Sequence, residues 1–252
     1  MSLRMTPAVG PRIPMVDLLR GVAIVAMVIY HALWDLGPRS RGLIALDAAT
    51  NPAMMLAADL IAGTFLALVG VSLVLAHRRG IRWPAFWRRL AILVGAAVLV
   101  SAVTWWTDPA TFVRFGILHC IAVCSVIGLA FLPLPGWVAT IGAAVAFTAP
   151  SLFAGAAFDH PAWIWLGLST VVPSSVDYVP VLPWLGAVLA GMAGARLALA
   201  FGLDRTLAGV QPGGWLAKGL VTAGRWSLVI YLAHQPLLMG AFYLLALVLG
   251  RA

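Results

Sequence analysis

His31 and Asp35 are the sharpest chemical pair in the chain. Four residues apart, they share one face of a helix. A neighbouring carboxylate fixes the tautomer of an imidazole and stabilises its protonated form, as a general base requires. The same contact can instead tie helices together, and the spacing leaves both readings open. His31 lies ten residues past Gly21, about 15 Å along a helix axis. An ionisable pair at that depth in an apolar segment points to function.

Other polar residues stand inside apolar runs. Ser227, Tyr231 and His234 fall at i, i+4 and i+7 and form one polar stripe. Pro236 has no N–H, so it frees the carbonyl of Leu232 for a polar contact. His119 closes the run Phe115-Gly116-Ile117-Leu118. Asp17 can cap a helix, while Arg20 can snorkel to lipid phosphate or turn inward to a ligand phosphate. The turn His77-Arg78-Arg79-Gly80-Ile81-Arg82-Trp83 is strongly basic. It reads either as a topology signal or as a set of guanidinium forks for the phosphates of a nucleotide-like cofactor. Cys120 and Cys124 are too few to hold a metal and badly spaced for a disulfide within one helix. His31 and His119 fall at matching depths, as haem ligands would, but no other feature asks for haem.

The elements that position these residues follow from composition. Of 252 residues, 63% are hydrophobic and 10% charged, against about 45–50% and about 25% in soluble domains. Such a chain cannot cover itself with polar surface. Several apolar runs approach the ~20 residues that span a bilayer as a helix. The expected fold is an all-α, polytopic transmembrane bundle of about seven spans, in one domain over 1–252 with a short tail over 1–15. The spans are placed at Val16–Leu36, Pro52–Ala76, Phe86–Trp106, Phe112–Leu132, Trp137–Phe158, Val179–Phe201 and Arg225–Leu249. The stretch His160–Asp177 is too mixed to span and reads as interfacial or re-entrant. The net charge of +8 belongs with lipid-facing loops, and no nucleic acid is expected. Twelve of the sixteen basic residues fall on the side that holds the N-terminus and four on the other. This asymmetry predicts a cytoplasmic N-terminus. His31, Asp35, Asp59, His119 and Asp177 then fall toward the outer side, and His234 near mid-membrane.

Five blocks, in order, resemble a known family. They are Val16-Asp17-Leu18-Leu19-Arg20-Gly21 through His31; Phe65 to Leu73; Arg114 to His119; Asp177-Tyr178-Val179-Pro180 through Gly186; and Gly224 to Pro236. Together they resemble the DUF1624 family, the catalytic-domain family of heparan-α-glucosaminide N-acetyltransferase. The resemblance implies an inner (plasma) membrane acetyltransferase. Its donor would be cytosolic acetyl-CoA and its acceptor an amino sugar or envelope glycan on the outer side. His31 is the best match to the catalytic histidine, as base or acyl carrier, with Asp35 orienting it. Arg20, Arg78, Arg79, Arg82 and Arg225 are the candidates for holding the donor. Asp59, His119, Asp177, Tyr178, Trp184, Tyr231 and His234 are candidates for acceptor binding or support. The alternative is a non-enzymatic transporter or flippase of an envelope precursor, which helices broken at Pro180, Pro183 and Pro236 would suit. Expected partners are the lipid bilayer and a small-molecule or glycan acceptor. A homodimer is left open.

Overall fold

Pro14, Pro52 and Pro84 stand in the first turn of the first three helices. There a ring presets φ and removes an N–H that would have had no partner. The computed structural model describes residues 13–37 and 43–248. Arg4, Arg12, Arg39, Arg41, Arg251 and most of the tail over 1–15 lie outside the described residues. The first three helices are α1 (Pro14–Leu36), α2 (Pro52–His77) and α3 (Trp83–Thr107). Asn51 caps α2, its side chain accepting from the N–H groups of Ala53 and Met54. Then come α4 (Ile117–Phe131), α5 (Gly136–Phe153), α6 (Val181–Ala200), α7 (Leu203–Gly209), α8 (Gly214–Arg225) and α9 (Ser227–Val248).

Six of these helices are long and apolar enough to cross a membrane: α1, α2, α3, α5, α6 and α9. They present large exposed apolar side chains such as Ile29, Leu60, Val98, Ile141, Leu197 and Leu244, as helices facing lipid do. The fold is the expected all-α bundle, and no strand occurs among the described residues.

The seventh expected span, Phe112–Leu132, differs. Its helix is only 15 residues, about 22 Å long. The residues before Ile117 leave the helix to pair with another irregular segment. Val176 N–H donates to Thr111 O at 2.8 Å, and Val179 N–H to Phe115 O at 3.0 Å. Ser175 Oγ donates to Phe112 O at 3.0 Å. Two non-helical stretches thus satisfy each other's backbone, the condition for irregular chain inside a membrane bundle. Over His160–Asp177 the only helical structure is the short 3-10 turn Ile164–Leu166, as expected for a non-spanning segment. The fifth helix stops at Phe153, earlier than expected, just after Pro150.

Glycines let helices touch. A Cβ added at Gly70 would strike the carbonyl of Val188, and one at Gly191 the carbonyl of Ala67, so α2 and α6 meet backbone to backbone. The same holds between α1 and α8: Gly21 meets Leu220 and Gly224 meets Asp17. This packing explains α8, which lies between the expected sixth and seventh spans. Its glycine content argues against a helix, but close docking on α1 overrides the propensity. The main core joins α2, α3, α4 and α6 around Leu66, Leu73, Cys124 and Val188, all essentially inaccessible.

Candidate active site

A cavity of about 430 Å³ opens among α1, α2, α3, α4, α9 and the segment before α6. His31 reaches it from α1. The His31 Nδ1 lies 2.9 Å from the carbonyl of Met27. A carbonyl only accepts, so Nδ1 carries a proton, and in the neutral form of the ring the lone pair is then at Nε2. This backbone carbonyl, rather than a carboxylate, orients the ring.

Asp35 is not the residue that orients His31. It is buried, and both of its oxygens accept from Gln235 Nε2, at 3.1 and 2.9 Å. Side chains on one helix face can meet, but Gln235 from α9 offers a donor that the Met27-bound imidazole does not. Gln235 was missed because an amide within an apolar run gives no spacing signal.

His234 comes from α9 to the same cavity, its ring centroid 4.8 Å from that of His31. Its Nδ1 lies 2.6 Å from the carbonyl of Tyr231. The ring is 8% exposed, and Nε2 has no hydrogen-bond partner among the described residues. Tyr231 Oη donates to Asp177 Oδ2 at 3.2 Å, and Ile117 N–H donates to the same oxygen at 3.0 Å. Asp177 thus caps α4, and Gly116 is needed there because a Cβ would collide with the carboxylate. Tyr178 and Trp184 also line the cavity, as does Asp59 from α2. Tyr178 is held by donating to Ile164 O at 2.6 Å.

His119 is placed elsewhere. Its Nδ1 accepts from Gly116 N–H at 3.2 Å, and its Nε2 lies 3.4 Å from Ser101 Oγ. It closes the first turn of α4 and is absent from the cavity wall.

The candidate arginines divide sharply. Arg20 lines the cavity, held by Asp17 and Ser72 at 3.0 Å each. Arg78 instead pairs with Asp204 at 2.8 Å, and Arg225 with Asp17 at 3.3 Å. Arg79 and Arg82 also lie off the cavity wall. The residue that sequence reasoning missed as a donor-holding candidate is Arg89, which lines the cavity together with Arg20. The predicted third span began at Phe86 and left Arg89 near a loop. The helix begins at Trp83, which carries Arg89 about 9 Å along its axis.

The fold and the cavity define a multi-pass membrane protein with an imidazole-bearing internal site. The chain belongs to the heparan-α-glucosaminide N-acetyltransferase catalytic family, whose model matches residues 12–236. No curated protein and no solved structure matches it.

Proposed function

We propose that the protein is an integral membrane acetyltransferase that moves an acetyl group from cytosolic acetyl-CoA to an amino-sugar or envelope-glycan acceptor on the outer side. One observation carries the reading: a single cavity takes in both the Arg20–Arg89 pair and the His31 imidazole. Two guanidinium groups facing one space favour an anion between them. Arg20 and His31 are eleven residues apart on α1, about 16 Å along the axis. An extended pantetheine arm bridges such a distance, with its phosphates at the arginines and its thioester at the histidine. Asp59, Asp177 and the aromatic side chains of Tyr30, Trp34, Tyr178 and Trp184 line the same cavity. Aromatic faces and carboxylates suit a sugar ring carrying an amine or hydroxyl. The neutral His31 Nε2 would accept the proton of that group as it attacks the thioester carbonyl.

Calorimetry of CoA binding to the detergent-purified protein tests this reading. Arg20→Ala and Arg89→Ala should each weaken binding by about 1.5–3 kcal/mol, the value of a hydrogen bond to a charged group. Arg82→Ala, off the cavity wall, should leave binding unchanged. Absence of CoA binding by the wild-type protein would overturn the reading and favour a transporter, for which histidine chemistry is superfluous.

A further inference from the structure

We propose that His234 is a second catalytic residue, which relays the proton taken up by His31 to the departing thiolate of the donor. The inference rests on the acetyl-transfer reading and adds a step to it. The observation behind it is the unpartnered Nε2 of His234, buried in the cavity wall. A buried acceptor without a donor is costly to keep, so its position calls for a proton donor that arrives with the substrates. The bond of Nδ1 to the Tyr231 carbonyl fixes the tautomer that leaves this lone pair free.

The neighbouring ring supplies the rest. His31 is held in the same tautomer by Met27 O, so two imidazoles offer Nε2 lone pairs with their rings 4.8 Å apart. Two imidazolium ions at that separation would repel strongly, so the pair works best sharing one proton. A lone structural histidine would be expected to find a donor. Here two adjacent donors are already committed: Tyr231 Oη donates to Asp177, and Gln235 Nε2 donates to Asp35.

The step balances. The acceptor's amine or hydroxyl attacks the thioester carbonyl, forming the new bond to the acetyl carbon. Its proton passes to His31 Nε2. The carbon–sulfur bond breaks and the electron pair leaves with sulfur. The proton crosses from His31 to His234 Nε2 and then to the thiolate, giving CoA thiol and two neutral imidazoles.

The test is thiol release from acetyl-CoA by folded, detergent-purified protein, with CoA affinity measured in parallel. His31→Asn and His234→Asn should each lower thiol release by about 10²–10⁴-fold, the range for loss of a general acid or base. The double variant should be no slower than the slower single, because both act on one proton. CoA affinity should stay near wild type throughout. His234→Ala should regain part of its rate in added imidazole, which a purely structural role would not allow. Wild-type thiol release in His234→Asn would overturn the relay while leaving acetyl transfer standing. A slow His234→Ala that imidazole does not rescue would also overturn it. Wild-type protein that neither binds CoA nor releases thiol would overturn the acetyltransferase reading, and the relay with it.

Discussion

Asp35 on α1 and Gln235 on α9 are joined by two hydrogen bonds, the amide nitrogen donating to both carboxylate oxygens at 3.1 and 2.9 Å. The link ties together the helices that carry the two cavity imidazoles, since Gln235 adjoins His234 and Asp35 lies one turn beyond His31. Gln235→Ala leaves a buried carboxylate without this donor. The expected loss is about 1.5–3 kcal/mol of stability, read as a lower melting temperature in detergent. Asp35→Asn should lower turnover less than His31→Ala, because it disturbs the helix contact and leaves the Met27 bond to His31 in place. Equal loss in both variants would restore Asp35 to a direct catalytic role.

His31 and His119 separate catalysis from support. His31→Ala removes the base facing the cavity and should cost about 10²–10⁴-fold in turnover, with CoA affinity retained. His119→Ala removes the cap at Gly116 and the contact with Ser101. It should cost about 0.5–2 kcal/mol of stability, as loss of a helix cap does, with turnover falling only as far as the fold loosens. Near-normal turnover in His31→Ala with loss in His119→Ala would move the active site to α4.

The fold class was legible because composition alone decides it: a chain 63% hydrophobic has to face lipid. Within the site, His31, Asp59, Asp177, Tyr178, Trp184, Tyr231 and His234 were singled out as candidates, and all of them line one cavity. Polar side chains inside apolar helices have few other places to go, and Asp177 and Tyr178 are brought there by the irregular segment before α6. Partner choice was not legible. Spacing says that His31 and Asp35 can meet, but it cannot see Gln235 approaching from another helix. Arg89 was hidden by a three-residue error in a helix start, which separates a loop cation from a cavity cation. The short α4 was hidden because its irregular lead-in pairs with the equally irregular segment before α6, a contact distant in sequence that hydropathy does not register.

Asp159 makes the connection between α5 and α6 sensitive to acid. Its carboxylate accepts from Thr170 Oγ1 at 2.7 Å, Ser169 Oγ at 2.8 Å and Thr170 N–H at 2.7 Å. These bonds, the Thr170 and Ser169 hydroxyls foremost, hold its pKa below the ordinary carboxylate value. A depressed pKa stabilises the folded loop above the unfolded value of about 3.9. That contribution is lost as pH falls through the folded value. Amide protection factors across residues 159–171, corrected for the intrinsic slowing of exchange in acid, should therefore fall below about pH 4. In Asp159→Asn the protection factors should already be low at neutral pH and show little further change. Identical profiles in the two proteins would remove Asp159 as the loop's acid-sensitive anchor.

Orientation in the membrane is open to a direct check. The basic residues crowd the end that holds the start of α1, the α2–α3 turn and the α6–α9 connection, which predicts that this end is cytoplasmic. Trp83 at the start of α3 and Val172 before α6 lie at opposite ends of the bundle, and both are exposed. The two native cysteines are buried, so single introduced cysteines report cleanly. In intact cells a membrane-impermeant maleimide should label Val172→Cys. It should label Trp83→Cys only after the membrane is opened. A cytosolic CoA has to enter from the end that holds Arg20 and Arg89. Labelling of Trp83→Cys from outside, with Val172→Cys protected, would invert the topology. It would also place the arginine pair on the side where cytosolic acetyl-CoA is absent.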